Sequence, residues 1–141
     1  MTTTLHGQAI VSGAAMASGR ALVSDEPLSF WGGYDSRTGE IIDRRHPLSG
    51  SIAKGRVLAL PGTIGSSTTT AVLLEAVRAG TAPAAILTIG VDSFLALASV
   101  VAHELYGRSI PLVALDEEQF GRLRTGANSC IRADGTVQVL E

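Results

Sequence analysis

The stretch GRVLALPGTIGSSTTTAVLLEAVRAG, residues 55–80, decides the fold that the sequence predicts. It begins with a short apolar run, 55–61, that ends at Pro-Gly, and this pattern is typical of a buried strand. Residues 66–80 follow with apolar side chains at helical spacing and a stop at Gly80. A strand, a hydroxyl-rich loop and a helix in this order predict the first half of a βαβ unit.

The next residues predict the second half of that unit and its repetition. Residues 82–90 form another short apolar run, and 91–107 predict a second helix with Asp92 as its cap and Gly107 as its stop. A third strand is expected at 109–115. The β-α-β-α-β order predicts parallel strands with right-handed crossovers. Both helices are apolar nearly all round, so we expect burial against a sheet or another chain.

The two flanks of this centre predict antiparallel strands. Residues 6–28 suggest two short strands broken by Gly13 and Gly19, and 34–43 suggest a Thr-Gly turn followed by strand residues. The tail, 128–141, has two alternating runs around an Asp-Gly pair, which is a strong hairpin signal. The predicted fold class is therefore α/β, with a central βαβαβ unit between antiparallel strands.

Composition narrows the class of protein. The 141 residues suit one domain, 1–141, with 45% apolar and 17% charged residues. The net charge of −2 gives no footprint for nucleic acid, and neither a secretory signal nor an apolar run of membrane-spanning length is visible, so we expect a cytoplasmic protein. Cys130 is the one cysteine, expected in a strand, and it cannot hold a metal centre alone.

The loop between the first strand and helix is the candidate site. Gly62 and Gly65 allow a sharp turn and close approach of a ligand, and the helix that follows offers free N–H groups to an anion. The loop matches neither a P-loop nor a dinucleotide fingerprint. A plainer interpretation is that Ser66 or Ser67 caps the helix and 68–70 are surface residues. Three successive threonines are poor formers of a first helical turn, which weakens this plainer interpretation.

Two further segments carry a family resemblance. PLSFWGGYDSRTGEIIDRRHPLSGSIAKGRVLALPGTIGSS (27–67), followed by AVLLEAVRAGTAPAAI (71–86), strongly resembles the small subunit of aconitase X. The resemblance covers roughly the whole chain, and the combination SF-x-GG-x-D-x-x-TG is specific. It implies the swivelling β/β/α domain of aconitase-like dehydratases. It also implies a large partner subunit that carries the iron or iron–sulfur cluster, so that this chain alone binds no cofactor.

The resemblance also implies an activity and a site. Family members dehydrate cis-3-hydroxy-L-proline or phosphomevalonate, both small carboxylates, and are inactive without the large subunit. The family's proton acceptor falls on Ser66 here. Ser67 lies beside it, and the glycines Gly62 and Gly65 shape the turn that would receive the substrate. We therefore expect a hydro-lyase subunit that supplies its proton-abstracting serine to a metal site on the partner.

One departure bears on the substrate. The family loop often carries basic residues between its glycines, whereas this chain has Thr63 and Ile64. The missing cation would be useful for a phosphorylated substrate, so hydroxyproline is favoured and phosphomevalonate is the alternative. Two rival interpretations stay open. The chain could be a stand-alone module that binds a small anion at the loop, or a mobile carrier with a phosphorylated histidine, for which only His46 is near a suitable junction.

Other side chains permit two interpretations each. Phe30 and Trp31 could anchor the large subunit or fill the core of the domain. Asp35 is expected to cap a turn of the Asx type. The DRRHP loop could bring His46 or Arg45 to a substrate carboxylate, but we prefer a solvated loop without a chemical role.

Overall fold

The structure is a computed structural model that describes residues 2–11, 16–65 and 68–140. Within those residues the chain forms eight strands and three helices. None of the three helices is long and apolar enough to cross a membrane. In chain order they are β1 (Thr2–His6), β2 (Gln8–Val11), β3 (Met16–Val23), β4 (Val57–Ala59), α1 (Thr68–Ala79), β5 (Ala85–Ile89), α2 (Ser93–Tyr106), β6 (Leu112–Leu115), α3 (Glu117–Phe120), β7 (Asn128–Arg132) and β8 (Thr136–Leu140).

The centre of the fold is the predicted βαβαβ unit. Strands β4, β5 and β6 lie side by side and parallel, with α1 and α2 as their crossovers. Asp92 caps α2, as predicted, because its side chain accepts hydrogen bonds from the backbone N–H groups of Phe94 and Leu95. Gly107 ends the helix with φ +67°, the left-handed conformation that glycine adopts without strain.

The antiparallel strands join this unit through β3. The first half of β3 pairs with β7, and its second half pairs in parallel with β4. The β7–β8 hairpin is the one predicted in the tail, and β1 adds to its outer edge. At the other end, β2 pairs antiparallel with β6. The resulting strand order is β1-β8-β7-β3-β4-β5-β6-β2.

Apolar side chains of the parallel strands alternate between two cores. Leu58 and Ile86 point to one face and pack with α1 and α2, whereas Val57, Ala59 and Leu87 point to the other face. That second face meets β1, β7, β8 and α3. A strand buried on both faces is apolar at every position, which explains the continuous apolar runs. The layers are helices, parallel sheet and antiparallel sheet, so the β/β/α class is confirmed.

The predicted break at Gly19 is wrong, because β3 runs through this residue from Met16 to Val23. A Cβ atom at Gly19 would lie 2.6 Å from the carbonyl oxygen of Gly55, so glycine permits a close approach of two chain segments. Gly13, the other predicted break, lies outside the described residues. The sequence also missed β1, which precedes the predicted N-terminal strands.

The segment 34–43 contains the predicted turn but not the predicted strand. Gly39 has φ +82°, and Asp35 accepts its backbone N–H at 2.7 Å through the main-chain oxygen. Only single bridges follow, Tyr34 with Ile41 and Glu40 with Ile52. The segment is a succession of turns, and its apolar side chains pack into the core under the helices. It therefore does not run straight beside a partner strand.

Replacing Gly19 with Ala tests the close approach between β3 and Gly55. We expect the free energy of unfolding to fall by about 1–3 kcal/mol, since the new methyl group collides with backbone that cannot move aside cheaply. Ser18→Ala, at an exposed position of the same strand, is the control and should stay within roughly 0.5 kcal/mol. Urea denaturation monitored by circular dichroism measures both. An unchanged midpoint for Gly19→Ala would contradict this packing.

Candidate functional site

The loop that follows β4 leaves the sheet at the carboxyl end of the parallel strands. Leu60 still donates its N–H to the carbonyl of Leu87 at 3.0 Å, and the carbonyl of Pro61 accepts from Ile89 at 3.3 Å. Beyond this point the loop has no neighbouring strand of the parallel sheet to pair with. Ligands of open α/β sheets bind at this edge, beyond the carboxyl ends of the strands.

One side of the loop is held by the main chain of Leu28. Its N–H donates to the carbonyl of Gly62 at 3.3 Å, and its carbonyl accepts from the N–H of Ile64 at 3.1 Å. The two bonds make a short parallel bridge between Leu28 and Thr63. Leu28 itself is fully buried, so this anchor is part of the core.

The other side of the loop is held by Asp92. Its Oδ2 atom accepts from both the N–H and the hydroxyl of Thr63, at 2.8 and 2.7 Å. Its Oδ1 atom accepts from the N–H groups of Phe94 and Leu95, each at 3.1 Å. Asp92 therefore does more than the helix capping that the sequence predicted. The available signal was that residues following neighbouring parallel strands meet at one edge.

The two glycines of the loop differ in what they require. Gly65 has φ +113°, and a Cβ atom there would meet nothing within 4 Å, so its requirement is conformational. Gly62 has no positive φ, and a Cβ atom would lie 3.6 Å from Oδ2 of Asp92, an ordinary contact. The sharp turn that the sequence predicted is thus located at Gly65.

The predicted catalytic residue, Ser66, and its neighbour Ser67 lie outside the described residues. Gly65 precedes them, and α1 begins directly after them at Thr68. The threonines of the first helical turn are not all surface residues, because Thr69 is buried and Thr70 donates its hydroxyl to the carbonyl of Phe94 at 3.3 Å. The first turn of α1 is therefore tied to the first turn of α2.

The described part of the chain does not enclose this loop. The crevice beside Asp92 is too narrow for a water molecule, and it is lined by Ile10, Thr88, Asp92, Leu95 and Leu112. A cavity of about 170 Å³ lies at the opposite end of the parallel strands, lined by Val77, Gly80, Ala82, Pro83, Arg108, Ser109 and Ile110. Ile64 is 56% exposed and Gly65 is exposed, so the outer surface of the described part of the loop is open.

Of the two aromatic residues Phe30 and Trp31, one lies in the core and the other on the surface. Phe30 is fully buried and stacks on Tyr34 with ring centroids 5.2 Å apart, while Trp31 is 69% exposed. The Tyr34 hydroxyl donates to the carbonyl of Thr81 at 2.8 Å, and burial raises the pKa of this phenol. Phe30 is therefore a core residue, and of the two only Trp31 is accessible to a partner.

Asp35 forms the predicted Asx turn. Its carboxylate accepts from the N–H of Arg37 at 2.9 Å, and the Arg37 guanidinium lies at 3.3 Å. These hydrogen bonds, first that of the backbone and then that of the side chain, lower the pKa of Asp35. The carboxylate has a structural task and lies in a different segment from the 62–65 loop.

His46 is buried and not available to a substrate carboxylate, although the residues on either side of it are exposed, so the solvated-loop interpretation holds for Arg45 but not for His46. The ring is 7% exposed, Nδ1 accepts from the N–H of Leu48 at 3.1 Å, and Nε2 lies 3.2 Å from the carbonyl of Glu26. Because a backbone N–H can only donate, Nδ1 carries no proton and Nε2 donates to Glu26. With both nitrogens occupied, His46 cannot accept a phosphoryl group without breaking this network. Arg45 is exposed.

Among the described residues, no group of three or more His, Cys, Asp or Glu side chains is placed so that it could hold a metal ion. Cys130 lies in β7 at a half-buried position, as predicted. The side chains of the described segments therefore do not fit an iron ion or an iron–sulfur cluster.

A sequence profile of the aconitase X swivel domain matches residues 4–139. The chain belongs to the aconitase X swivel-domain family. This confirms the resemblance that the segments at 27–67 and 71–86 indicated. Among solved structures, the aconitase X swivel domain described here is similar to the Thermococcus kodakaraensis aconitase X (holo-form), with a TM-score of 0.87 and 30% identity over 99% of both chains.

This swivel domain is similar to curated dehydratases of two kinds, which differ in the substrate that their names give. A cis-3-hydroxy-L-proline dehydratase of Pseudomonas aeruginosa is 54% identical over 104 residues, which are 74% of this chain and 18% of that protein. One of Hypocrea jecorina is 39% identical over 135 residues, 96% of this chain and 22% of that protein. The phosphomevalonate dehydratase small subunit of Methanocella arvoryzae is 33% identical over 138 residues, 97% of each chain. The chain spans about a fifth of the length of the first two.

Replacing His46 with Ala should lower the free energy of unfolding of this swivel domain by about 2–4 kcal/mol. The substitution removes a buried ring and leaves the N–H of Leu48 without a partner, while the carbonyl of Glu26 keeps only the Ser24 hydroxyl as a donor, at 3.2 Å. Arg45→Ala is the control, because that side chain is exposed, and it should change stability by less than about 0.5 kcal/mol. Chemical denaturation gives both values. Equal stability of the two variants would refute the structural role of His46.

Proposed function

We propose that this chain is the small subunit of a cis-3-hydroxy-L-proline dehydratase and supplies the proton-abstracting serine of a hydro-lyase. The observation that carries the substrate assignment is the higher identity to the hydroxyproline enzymes over comparable lengths. The identity is 39% over 135 residues to the Hypocrea jecorina enzyme against 33% over 138 to the Methanocella arvoryzae phosphomevalonate subunit, and 54% over 104 residues to the Pseudomonas aeruginosa enzyme against 43% over 84 to the phosphomevalonate subunit of Methanothermobacter thermautotrophicus. The position of the loop supports the site assignment. It lies at the carboxyl edge of the parallel sheet and is anchored on both sides, and Ile64 on its outer surface is exposed.

In this proposal, Ser66 accepts the proton from the carbon that bears the substrate carboxylate. The neighbouring C–O bond breaks and the leaving hydroxide takes up one proton to become water, so the substrate loses H⁺ and OH⁻ in total. The enamine that remains tautomerises to a cyclic imine as a proton moves from nitrogen to carbon. A serine needs help to act as a base, and the free N–H groups at the start of α1 stabilise negative charge on its oxygen. The first turn of α1 contains no acidic residue that would oppose this effect.

The substrate carboxylate would be bound by main-chain N–H groups around the turn, namely those of Gly62, Gly65 and Ser67. The positive φ of Gly65 turns the chain there without a side chain in the way. Between Val57 and Val77 the sequence contains no lysine or arginine. A single carboxylate can be held by N–H groups alone, whereas a phosphate is usually bound with an additional cation.

The iron or iron–sulfur cluster implied by the family would be held by a larger partner subunit, because the described residues of this chain offer no ligand set for it. The name "small subunit" of the Methanocella arvoryzae relative, which this chain covers over 97% of its length, supports such a partner. The contribution of this chain is the base, the carboxylate site and their alignment.

An apolar surface on α2 is the proposed contact with the large subunit. Exposed apolar side chains run along this helix from the residue just before its cap, and we call them the α2 apolar surface: Val91, Phe94, Leu97, Val100 and Leu105. Leu97 is 52% exposed and Leu105 is 62% exposed. Contiguous exposed apolar side chains of this kind mark interaction sites. The surface begins beside Asp92, so a subunit bound to it would also lie above the loop.

The alternative substrate is phosphomevalonate, which is favoured by the match in length to the Methanocella arvoryzae subunit, 97% of each chain. The reaction type and the role of Ser66 would be the same. The missing cation at Thr63 and Ile64 argues against it, since the phosphate would have to be bound by the large subunit alone.

Co-expression with the large subunit tests this proposal. The purified complex should release water from cis-3-hydroxy-L-proline, and Ser66→Ala should lower kcat by about 10³-fold or more while the complex still assembles, because the proton acceptor is lost. Pyrroline formation followed by absorbance or mass spectrometry measures turnover, and size-exclusion chromatography measures assembly.

Phosphomevalonate is assayed in parallel, and Ser49→Ala, at an exposed loop position far along the sequence from Ser66, is the matched control with unchanged turnover expected. Retained activity in Ser66→Ala would refute the assignment of the base. Activity on phosphomevalonate alone would exchange the substrate for the alternative. A chain that binds a small carboxylate as a monomer, and activates no larger chain, would instead be a stand-alone anion-binding module.

Replacing Leu97 with Asp tests the α2 apolar surface. A charge in the centre of a desolvated contact is costly, so the dissociation constant of the two subunits should rise at least about tenfold. Leu140→Asp is the matched control, because Leu140 is 49% exposed and lies on β8 in the antiparallel layer. Co-purification and biolayer interferometry measure binding. If Leu97→Asp binds like the unchanged chain, the interface lies elsewhere.

A further inference from the structure

We propose that Asp92 is a positioning residue for Ser66, because its carboxylate fixes the 62–65 loop to the first turn of α2. This inference rests on the proposed function for its catalytic consequence. Its structural part, that one carboxylate holds the loop, can be tested without any activity.

Asp92 accepts hydrogen bonds from four donors, two at each oxygen. Oδ1 takes the N–H groups of Phe94 and Leu95 at 3.1 Å, which is the capping interaction. Oδ2 takes the N–H and hydroxyl of Thr63 at 2.8 and 2.7 Å, which belong to a residue 29 positions earlier. Hydrogen bonds to an ionised acceptor are roughly twice as strong as neutral ones. The pair at Oδ2 is thus a strong link between two segments that are distant in sequence.

Capping alone does not require this arrangement. Asp116, the cap of α3, accepts from a single backbone N–H, that of Gln119 at 2.8 Å. Serine or asparagine at position 92 could cap α2 equally well. Of these three residues only aspartate offers a second carboxylate oxygen, and at position 92 that oxygen accepts from Thr63.

The loop has two anchors of different kinds. The bridge to Leu28 consists of two main-chain bonds, at 3.3 and 3.1 Å, which no side-chain substitution removes directly. In the anchor at Asp92 the acceptor is a side chain, so a substitution at position 92 can remove it. Because Thr63 is followed by only two residues before Ser66, a shift of Thr63 is passed to Ser66 through Ile64 and Gly65. A displacement of about 1 Å at a reacting group can cost on the order of a hundredfold in rate.

Two substitutions separate the anchor from the cap. Asp92→Asn keeps one acceptor oxygen for the helix but places an NH₂ group, a donor, against the donors of Thr63. Thr63→Val removes the hydroxyl bond and leaves the N–H bond, and Thr63→Ser restores the hydroxyl. Asp116→Asn is the matched control, an acid-to-amide change at a helix cap whose side chain accepts from the N–H of Gln119, within its own helix.

The experiment measures three quantities on the full chain and on its complex with the large subunit. They are amide hydrogen exchange of the peptide covering 60–68, the unfolding midpoint, and kcat and KM for cis-3-hydroxy-L-proline. In Asp92→Asn we expect faster exchange in that peptide, a kcat lowered by about tenfold or more, and KM changed less than kcat. Thr63→Val should show a smaller loss of kcat, reversed in Thr63→Ser, and Asp116→Asn should match the unchanged chain in all three.

The outcomes are decisive even if the proposed function fails. Unchanged exchange in the 60–68 peptide of Asp92→Asn overturns the inference, whatever the activity, and so does a kcat equal to that of Asp116→Asn in an active complex. If the complex dehydrates neither substrate, the proposed function fails, and the exchange data alone decide whether Asp92 holds the loop. If Asp92→Asn does not fold, the comparison of Thr63→Val with Thr63→Ser decides, and equal exchange and equal kcat in that pair overturn the inference.

Discussion

Burial of the parallel strands on both faces is the constraint on which this structure depends. Leu58 and Ile86 require the helix layer above them, and Val57 and Leu87 require the antiparallel layer below. With both faces covered and β3 and β2 on the flanks, the ends of the strands are the places where the sheet is open to a ligand. The loop after β4 leaves the sheet at one of these ends, so the position of the candidate site follows from the requirement to bury the sheet.

The parts of the fold that the sequence predicted are those that depend on local patterns. The continuous apolar runs, the helical spacing and the residues Asp92 and Gly107 gave the central unit with its helix boundaries. The failures came from contacts between distant segments. Gly19 looks like a strand break because glycine weakens strands, yet its role is to admit Gly55, 36 positions later. The strand predicted within 34–43 failed because its neighbours in the fold are turns.

In the candidate site too, local features could be predicted from the sequence and contacts between distant segments could not. The left-handed turn at Gly65 follows from the residue type, since glycine adopts positive φ without strain. The second task of Asp92 could not be deduced from its own neighbourhood, because Thr63 precedes it by 29 residues and meets it only once parallel strands align. His46 was misjudged for a related reason. A histidine flanked by charged residues and proline indicates a solvated loop, but its ring is buried between the main chains of Glu26 and Leu48.

The two properties of the loop, firm anchorage and an open outer surface, are both what the proposed two-subunit enzyme would require. A base that must act on a substrate lying between two subunits has to be held rigidly by its own subunit, because any movement at the interface already changes its position. Asp92 and Leu28 supply that rigidity from opposite sides of Thr63. Asp92 also begins α2, whose exposed apolar side chains we assign to the partner contact. Docking of the large subunit on α2 would therefore set the position of the loop directly, since the helix and the loop share one carboxylate.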